Sequence, residues 1–291
     1  MGASAAAFLA ACSVSPIVTP GPIVPPVQER QLMVDGQART YRLYTPASVA
    51  ALDSVPLVVV LHAAGQTGSD IASTTGFDQA ADGNRFMVVY PDGLRKNWNA
   101  GFCCESPSRV NDTLFLSRLL DELEADKHID RGRVYVAGIS AGAFMAYRLA
   151  CDMANRITAI GSVAGSVLPA TCHPSRPVSL IEIHGTADKS VPYAGGQVEP
   201  VGAASAPVPS TLAVVGQWAA EDGCAQAPTV ENAAPVLTTL WTGCAAGSRV
   251  VLDTVQGGHH TWYATGLGVA DGSIDATTAI WKFFSGQALH P

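Results

Sequence analysis

Arg133-Val134-Tyr135-Val136-Ala137-Gly138-Ile139-Ser140-Ala141-Gly142 reads as a strand that runs without a break into a tight turn, and helix-forming residues follow Gly142. Residues 134–137 are apolar and partly β-branched, the mark of a strand covered on both faces. Gly138, Ser140 and Gly142 then form a GxSxG pattern at the strand-to-helix junction. A sharp turn there lifts the serine hydroxyl above the sheet edge. Glycines two positions to either side leave room for neighbouring backbone, and the helix N-terminus adds partial positive charge beneath the oxygen. Ser140 is therefore the candidate nucleophile.

Outward from this stretch, residues 57–61, 86–90 and 178–183 are similar continuous apolar runs. Helical patterns lie between the strands. In 112–127, Leu116, Leu119, Leu120 and Leu123 recur at helical spacing, and Asn111 or Asp112 can cap the first turn. Another helix begins after Gly142, with further ones near 211–221 and 274–284; the last carries Thr277, Ile280, Trp281 and Phe284 on one face. Asp35-Gly36 predicts a hairpin turn between 31–34 and 38–44. Strands alternating with helices predict an α/β fold, a mostly parallel central sheet with helices on both faces.

The 291 residues carry 17 Lys+Arg against 24 Asp+Glu, a formal charge of −7, and 48% are hydrophobic. A nucleic-acid binder needs a clustered basic stripe, and none is present, so no nucleic-acid partner is expected. Residues 1–12 read as a signal-peptide core ending in Leu9-Ala10-Ala11-Cys12, a string that resembles the lipobox of bacterial lipoproteins and implies lipidation, hence membrane attachment, at Cys12. Residues 13–30, rich in proline, read as a stiff tether, and residues 31–291 as one catalytic domain. The other cysteines, Cys103, Cys104, Cys151, Cys172, Cys224 and Cys244, are even in number and fit disulfides in an oxidising, extracytoplasmic compartment. Cys224 and Cys244 are the most local pair, and the adjacent Cys103 and Cys104 are expected to bond outward to Cys151 and Cys172. With no CxxC and no Cys/His zinc spacing, neither a metal nor any other cofactor is expected.

A serine nucleophile needs a base, and the base an orienting carboxylate, in loops after later strands and in the order Ser, Asp, His. Asp188 follows the 178–183 run. His259 and His260 follow the strand expected at 249–255, and either could be the base. His62 and His184, at strand ends, read as hydrogen-bonded scaffold. Asp92 and Asp112 precede Ser140 and read as loop and helix caps.

From Val55 to Phe284 the chain resembles the polyhydroxybutyrate depolymerase-like and feruloyl esterases, a family of small α/β-hydrolases that includes lipoprotein members. The matching strings are LHAAGQTG at 61–68, YPDG at 90–93, WNAGFCC at 98–104, GISAG at 138–142, HGTADKSVPY at 184–193 and GGHHTW at 257–262. The resemblance implies an α/β-hydrolase fold and a serine carboxylesterase with Ser140 as nucleophile, Asp188 as orienting acid and His260 as base. It implies an oxyanion hole from the Ala141 N–H and an N–H of the 62–65 loop, for which Ala64 is the expected donor; the family usually has Gly where Ala63 stands.

Trp98, Phe102, Tyr193, Trp262 and Tyr263 fall in loops expected at the mouth of the site. Of these, Trp98, Tyr193 and Trp262 are the expected substrate walls, suited to a hydroxycinnamoyl ring or an apolar polyester segment. The expected substrate is a small or oligomeric ester, soluble rather than crystalline. A serine peptidase and a non-catalytic surface lipoprotein of the same fold are the alternatives.

Overall fold

β-branched and apolar runs too continuous to face water on either side must be covered on both, and the computed structural model meets that demand with one sheet between two helical layers. It describes residues 1–2, 26–101, 110–126, 128–167, 172–198, 207–264 and 274–289. The strands are β1 (Val27–Val34), β2 (Gln37–Tyr44), β3 (Val55–Leu61), β4 (Met87–Pro91), β5 (Ile129–Ile139), β6 (Ala159–Val163), β7 (Ser179–Gly185), β8 (Thr229–Ala233), β9 (Val236–Trp241) and β10 (Val250–Val255). The helices are α1 (Gly68–Thr75), α2 (Phe77–Asn84), α3 (Asp112–Asp126), α4 (Ala141–Asp152), α5 (Thr211–Glu221) and α6 (Ala276–Phe284).

The sheet runs β1-β2-β4-β3-β5-β6-β7-β10-β9-β8. Its centre, from β4 through β3, β5, β6 and β7 to β10, is parallel, and an antiparallel hairpin closes each edge. Alternation along β3 shows how the layers divide. Leu57, Val59 and Leu61 pack with Phe115, Leu119, Phe144 and Trp218 from α3, α4 and α5. Val58 and Val60 pack with Ile71, Phe77, Ile280 and Phe284 from α1, α2 and α6. The fold is that of an α/β-hydrolase.

Three strands have no counterpart among the sequence expectations. β6 is buried throughout although its sequence, Ala-Ile-Gly-Ser-Val, is a weak strand former. Gly161 is needed there because a Cβ would stand 2.7 Å from Ile280 Cγ2, so α6 could not seat. β8 is fully exposed and held by pairing with β9. Residues 27–30, assigned to the tether from sequence, belong to β1, where Arg30 pairs with Tyr41, because an edge strand is held by backbone bonds that its polar side chains do not oppose; residues 13–25 lie outside the described residues.

The cysteine expectation is half corrected. Cys224 pairs with Cys244, but Cys151 and Cys172 pair with each other rather than with Cys103 and Cys104. The last turn of α4 and the segment before β7 bring the Cys151 and Cys172 Cα atoms to 5.2 Å, which uses up both sulfurs. Cys12, Cys103 and Cys104 lie outside the described residues.

Asp112 is not the cap of α3. Asn111 Oδ1 accepts the Leu114 N–H at 2.9 Å and takes that role. Asp112 is buried, accepts from Arg39 at 2.6 Å and from the Asn99 N–H at 2.7 Å, and so ties β2 to the loop after β4. The Arg39 guanidinium also lies 3.9 Å from the Phe115 ring centre. Removing one partner of a buried pair strands the other charge. Arg39→Met should therefore cost about 3–5 kcal/mol in urea unfolding, part of it recovered in Arg39→Met/Asp112→Asn; equal losses in the single and double variants would contradict a buried ion pair.

Candidate active site

The turn after β5 is held in a backbone conformation that few side chains adopt: Ser140 has φ 55° and ψ −123°. Its N–H donates to Val163 O at 3.0 Å, anchoring the turn to β6. The flanking glycines are steric requirements. A Cβ on Gly142 would lie 2.1 Å from Leu61 O, and one on Gly138 would lie 2.5 Å from the Gly142 carbonyl carbon. α4 can thus begin directly against the end of β3. The Ala141 N–H, at the first helical position, has no acceptor within the helix.

Asp188 and His260 arrive on the loops after β7 and β10, which dock on each other. Ala187 N donates to Gly258 O at 2.9 Å and Gly257 N to Thr186 Oγ1 at 2.9 Å. Gly185 permits the contact, since its Cβ would stand 2.1 Å from Gly258 O. As a result the His260 Nδ1–H donates to Asp188 Oδ2 at 2.8 Å, with Asp188 buried and the His260 side chain 23% exposed. His259 points elsewhere, its Nδ1 being 3.3 Å from Ala187 O. Asp188 Oδ1 accepts from the N–H groups of Ser190 and Val191 at 2.8 and 2.9 Å. Burial opposes ionisation of Asp188, but hydrogen bonds from His184 and His260 outweigh it and hold the carboxyl well below the usual range. Among the described residues neither the Ser140 hydroxyl nor His260 Nε2 makes a hydrogen bond.

The loop after β3 leaves the Ala64 N–H as a donor among the described residues. Ala63 N–H donates to Gln66 Oε1 at 3.2 Å and Gly65 N–H to Lys96 O at 2.8 Å, whereas the Ala64 N–H makes no such bond among the described residues. The left-handed position is Gly65, φ 83°, so the Cβ of Ala63 meets no backbone penalty. His62 is scaffold, as expected: its Nδ1–H donates to Ala63 O at 2.7 Å and its Nε2 accepts the Gly93 N–H at 2.9 Å, which fixes a neutral ring. Burial holds His62 below its ordinary value. Asp92 braces the same corner, Oδ1 accepting from Gly68 N and Oδ2 from Thr40.

Two expected substrate walls are instead supports. Trp98 is 0% exposed, donates its indole N–H to His62 O at 2.9 Å and packs its ring 4.8 Å from that of His62. Trp262 is 2% exposed, donates to Thr277 Oγ1 at 3.1 Å and meets Phe77 edge-on. Their N–H groups need acceptors, and the loops that carry them fold back over the core to supply them. Tyr263 is likewise buried, its hydroxyl on His259 O. Tyr193 is half-buried, with its hydroxyl on Thr254. Phe102 lies outside the described residues. No group of three His, Cys, Asp or Glu among the described residues is arranged to hold a metal.

Residues 39–216 match the family described as Esterase PHB depolymerase. NocK of Nocardia uniformis subsp. tsuyamanensis, which bears an esterase's name, is 31% identical over 255 residues, covering 80% of this chain and 73% of its own. Feruloyl esterase B of Piromyces equi is 26% identical over 224 residues, covering 74% of this chain; the match spans 41% of that protein's length. Among solved structures, acetyl xylan esterase from Aspergillus awamori superposes with a TM-score of 0.65 at 15% identity, over 89% of this chain and 99% of that one.

Trp98→Phe keeps the ring and deletes the N–H that holds His62 O, loosening the loop that carries Ala64. Steady-state hydrolysis of a p-nitrophenyl ester should show kcat lowered about tenfold with KM little changed. An unchanged kcat would mean that this support is irrelevant to turnover.

Proposed function

This chain belongs to the Esterase PHB depolymerase family and is a carboxylic ester hydrolase, and from that premise we propose that it works through an acyl-enzyme carried on Ser140. His260 Nε2 takes the Ser140 proton as the oxygen attacks the ester carbonyl carbon. The carbonyl oxygen becomes an oxyanion and accepts from the N–H groups of Ala141 and Ala64. Collapse breaks the bond to the alcohol, which leaves with the proton held by His260, and water then repeats the cycle on the acyl group. Asp188 keeps His260 in the tautomer with Nδ1 protonated and stabilises the imidazolium formed in each step. The observation that carries this assignment is the 2.8 Å bond between His260 Nδ1 and Asp188 Oδ2, on loops joined to strands on the same side of β5.

The proposed substrates are soluble carboxylic esters, feruloyl-type first and hydroxyalkanoate oligomers second. The name of the Piromyces relative supports the first. With Trp98 and Trp262 committed to the core, Tyr193 is the one expected aromatic wall that keeps exposed surface among the described residues. The disulfides Cys151–Cys172 and Cys224–Cys244 support an extracytoplasmic location, and we propose lipid attachment through Cys12 in the full chain.

Ser140→Ala should lower kcat on the order of 10⁶-fold, read on methyl ferulate, a short p-nitrophenyl ester, a hydroxybutyrate oligomer and acetylated xylan side by side. Methyl ferulate should give the highest kcat/KM. Retention of a tenth of the activity would remove Ser140 as nucleophile, and a preference for acetylated xylan would overturn the substrate assignment.

A further inference from the structure

Behind Asp188 lies a buried chain of polar side chains that ester hydrolysis, as written above, does not use. Tyr147 from α4 donates its hydroxyl to Glu182 Oε2 at 3.1 Å, and the Gly165 N–H donates to Glu182 Oε1 at 3.2 Å. His184, two residues along β7 on the same face, puts Nδ1 3.0 Å from Glu182 Oε1. Its Nε2 lies 2.8 Å from Val191 O and 3.5 Å from Asp188 Oδ2, the oxygen that receives His260. Both side chains of the Glu182–His184 pair are 0% exposed.

Hydrogen-bond accounting sets the charges. Apart from His184, Glu182 meets donors, the Tyr147 hydroxyl and the Gly165 N–H, the surroundings of an ionised carboxylate. His184 Nε2 faces a carbonyl oxygen, which can only accept, and so carries a hydrogen. Nδ1 lies 3.0 Å from Glu182 Oε1 and 3.2 Å from the Thr211 hydroxyl, which can accept as well as donate, and facing the carboxylate it carries one too. The ring is then an imidazolium. Around it are Glu182 on β7, Asp188 on the following loop, the Thr211 hydroxyl of α5 at 3.2 Å, the Tyr193 ring edge-on at 5.8 Å and, through Glu182, Tyr147 of α4. Thr254 of β10 pairs with His184 across the sheet and bonds the Tyr193 hydroxyl. Among the described residues no lysine or arginine pairs with Glu182 or Asp188, so His184 is the cation between two buried carboxylates. The raised titration of His184, to about 9, agrees: burial opposes protonation, but hydrogen bonds to Asp188 and Glu182 outweigh it.

Plain scaffolding does not require this arrangement. Leucine or valine would fill the same layer without the cost of burying three ionisable groups, and such groups cluster where charge does work. We propose that His184 is a positioning residue for ester hydrolysis: a permanent buried imidazolium, balanced by Glu182, that locks the Asp188 carboxylate and offsets part of its charge, so that His260 stays an unprotonated base into more acid solution. The sign follows from Coulomb's law. A cation beside Asp188 weakens the pull of that carboxylate on a proton at His260, and removing the cation makes His260 more basic. His184 has this effect only if Ser140, His260 and Asp188 act as proposed above.

The test is the pH profile of kcat/KM for the parent and for His184→Gln, on one p-nitrophenyl ester, with thermal unfolding confirming the fold. The acid limb of His184→Gln should move upward by about one pH unit. An active, folded His184→Gln with an unshifted limb would overturn the proposal and leave the triad standing, whereas an active Ser140→Ala would sink the triad itself. If His184→Gln does not fold, the charge of His184 in the unmutated protein carries the test. In the unmutated protein, nitrogen-15 spectra of the imidazoles should show His184 with both ring nitrogens protonated at pH 8; a neutral tautomer at pH 7 would overturn the proposal directly.

Discussion

One close approach organises the catalytic end of the molecule: the backbone of Gly142 against the last carbonyls of β3. With 2.1 Å between the position of a Cβ and Leu61 O, only glycine lets α4 start where it does. That start forces the preceding residue, Ser140, into positive φ and turns its side chain out of the sheet edge. A non-glycine residue held there costs on the order of 1–3 kcal/mol, offset by the packing of α4, in which Phe144, Tyr147 and Leu149 are buried. The same contact sets the start of α4 against His62, the first residue of the loop that holds Ala64, so the proposed nucleophile and oxyanion donors share one mechanical origin.

From that corner outward, the site is built of buried polar groups whose partners lie in the same loop or in the loop beside it. His62 is fixed by Ala63 O and Gly93 N, Trp98 by His62 O, and Asp188 by two backbone N–H groups and His260. Loops that leave the C-terminal ends of parallel strands carry unsatisfied backbone, and these side chains satisfy it. Sheet order supplies the rest: β5, β6, β7 and β10 are consecutive and parallel, so the loops after β5, β7 and β10 leave the sheet at one rim.

What was legible in the sequence follows from this. The central strands, α3 and α5 were readable because burial on two faces, or on one helical stripe, leaves a continuous or periodic apolar pattern. β6 was not, since its burial comes from neighbours and its own residues, Gly161 and Ser162 among them, signal a turn as readily. β8 was missed because an exposed edge strand carries little apolar pattern, and β9 because its buried positions, Val236, Thr239 and Trp241, do not alternate. At the site, Ser140 and Asp188 were marked by residue type and order, but the choice between His259 and His260 needed the family resemblance. Aromatic residues misled: Trp98 and Trp262 sit in the right loops, and only their N–H acceptors, invisible in sequence, reveal that they face inward. Asp112 looked like a cap because Asn111 precedes it and because its partner, Arg39, is distant in the chain. His184 looked like scaffold because nothing in the sequence announces that Glu182 and Asp188 close on its two ring nitrogens.

The claim at the centre is that the strained serine at the head of α4 is the nucleophile. Incubating the protein with a fluorophosphonate and locating the adduct by peptide mass spectrometry tests it most directly. The account predicts one phosphonyl group per chain, on Ser140. Absence of labelling in folded, ester-hydrolysing protein, or an adduct on another residue, would contradict it.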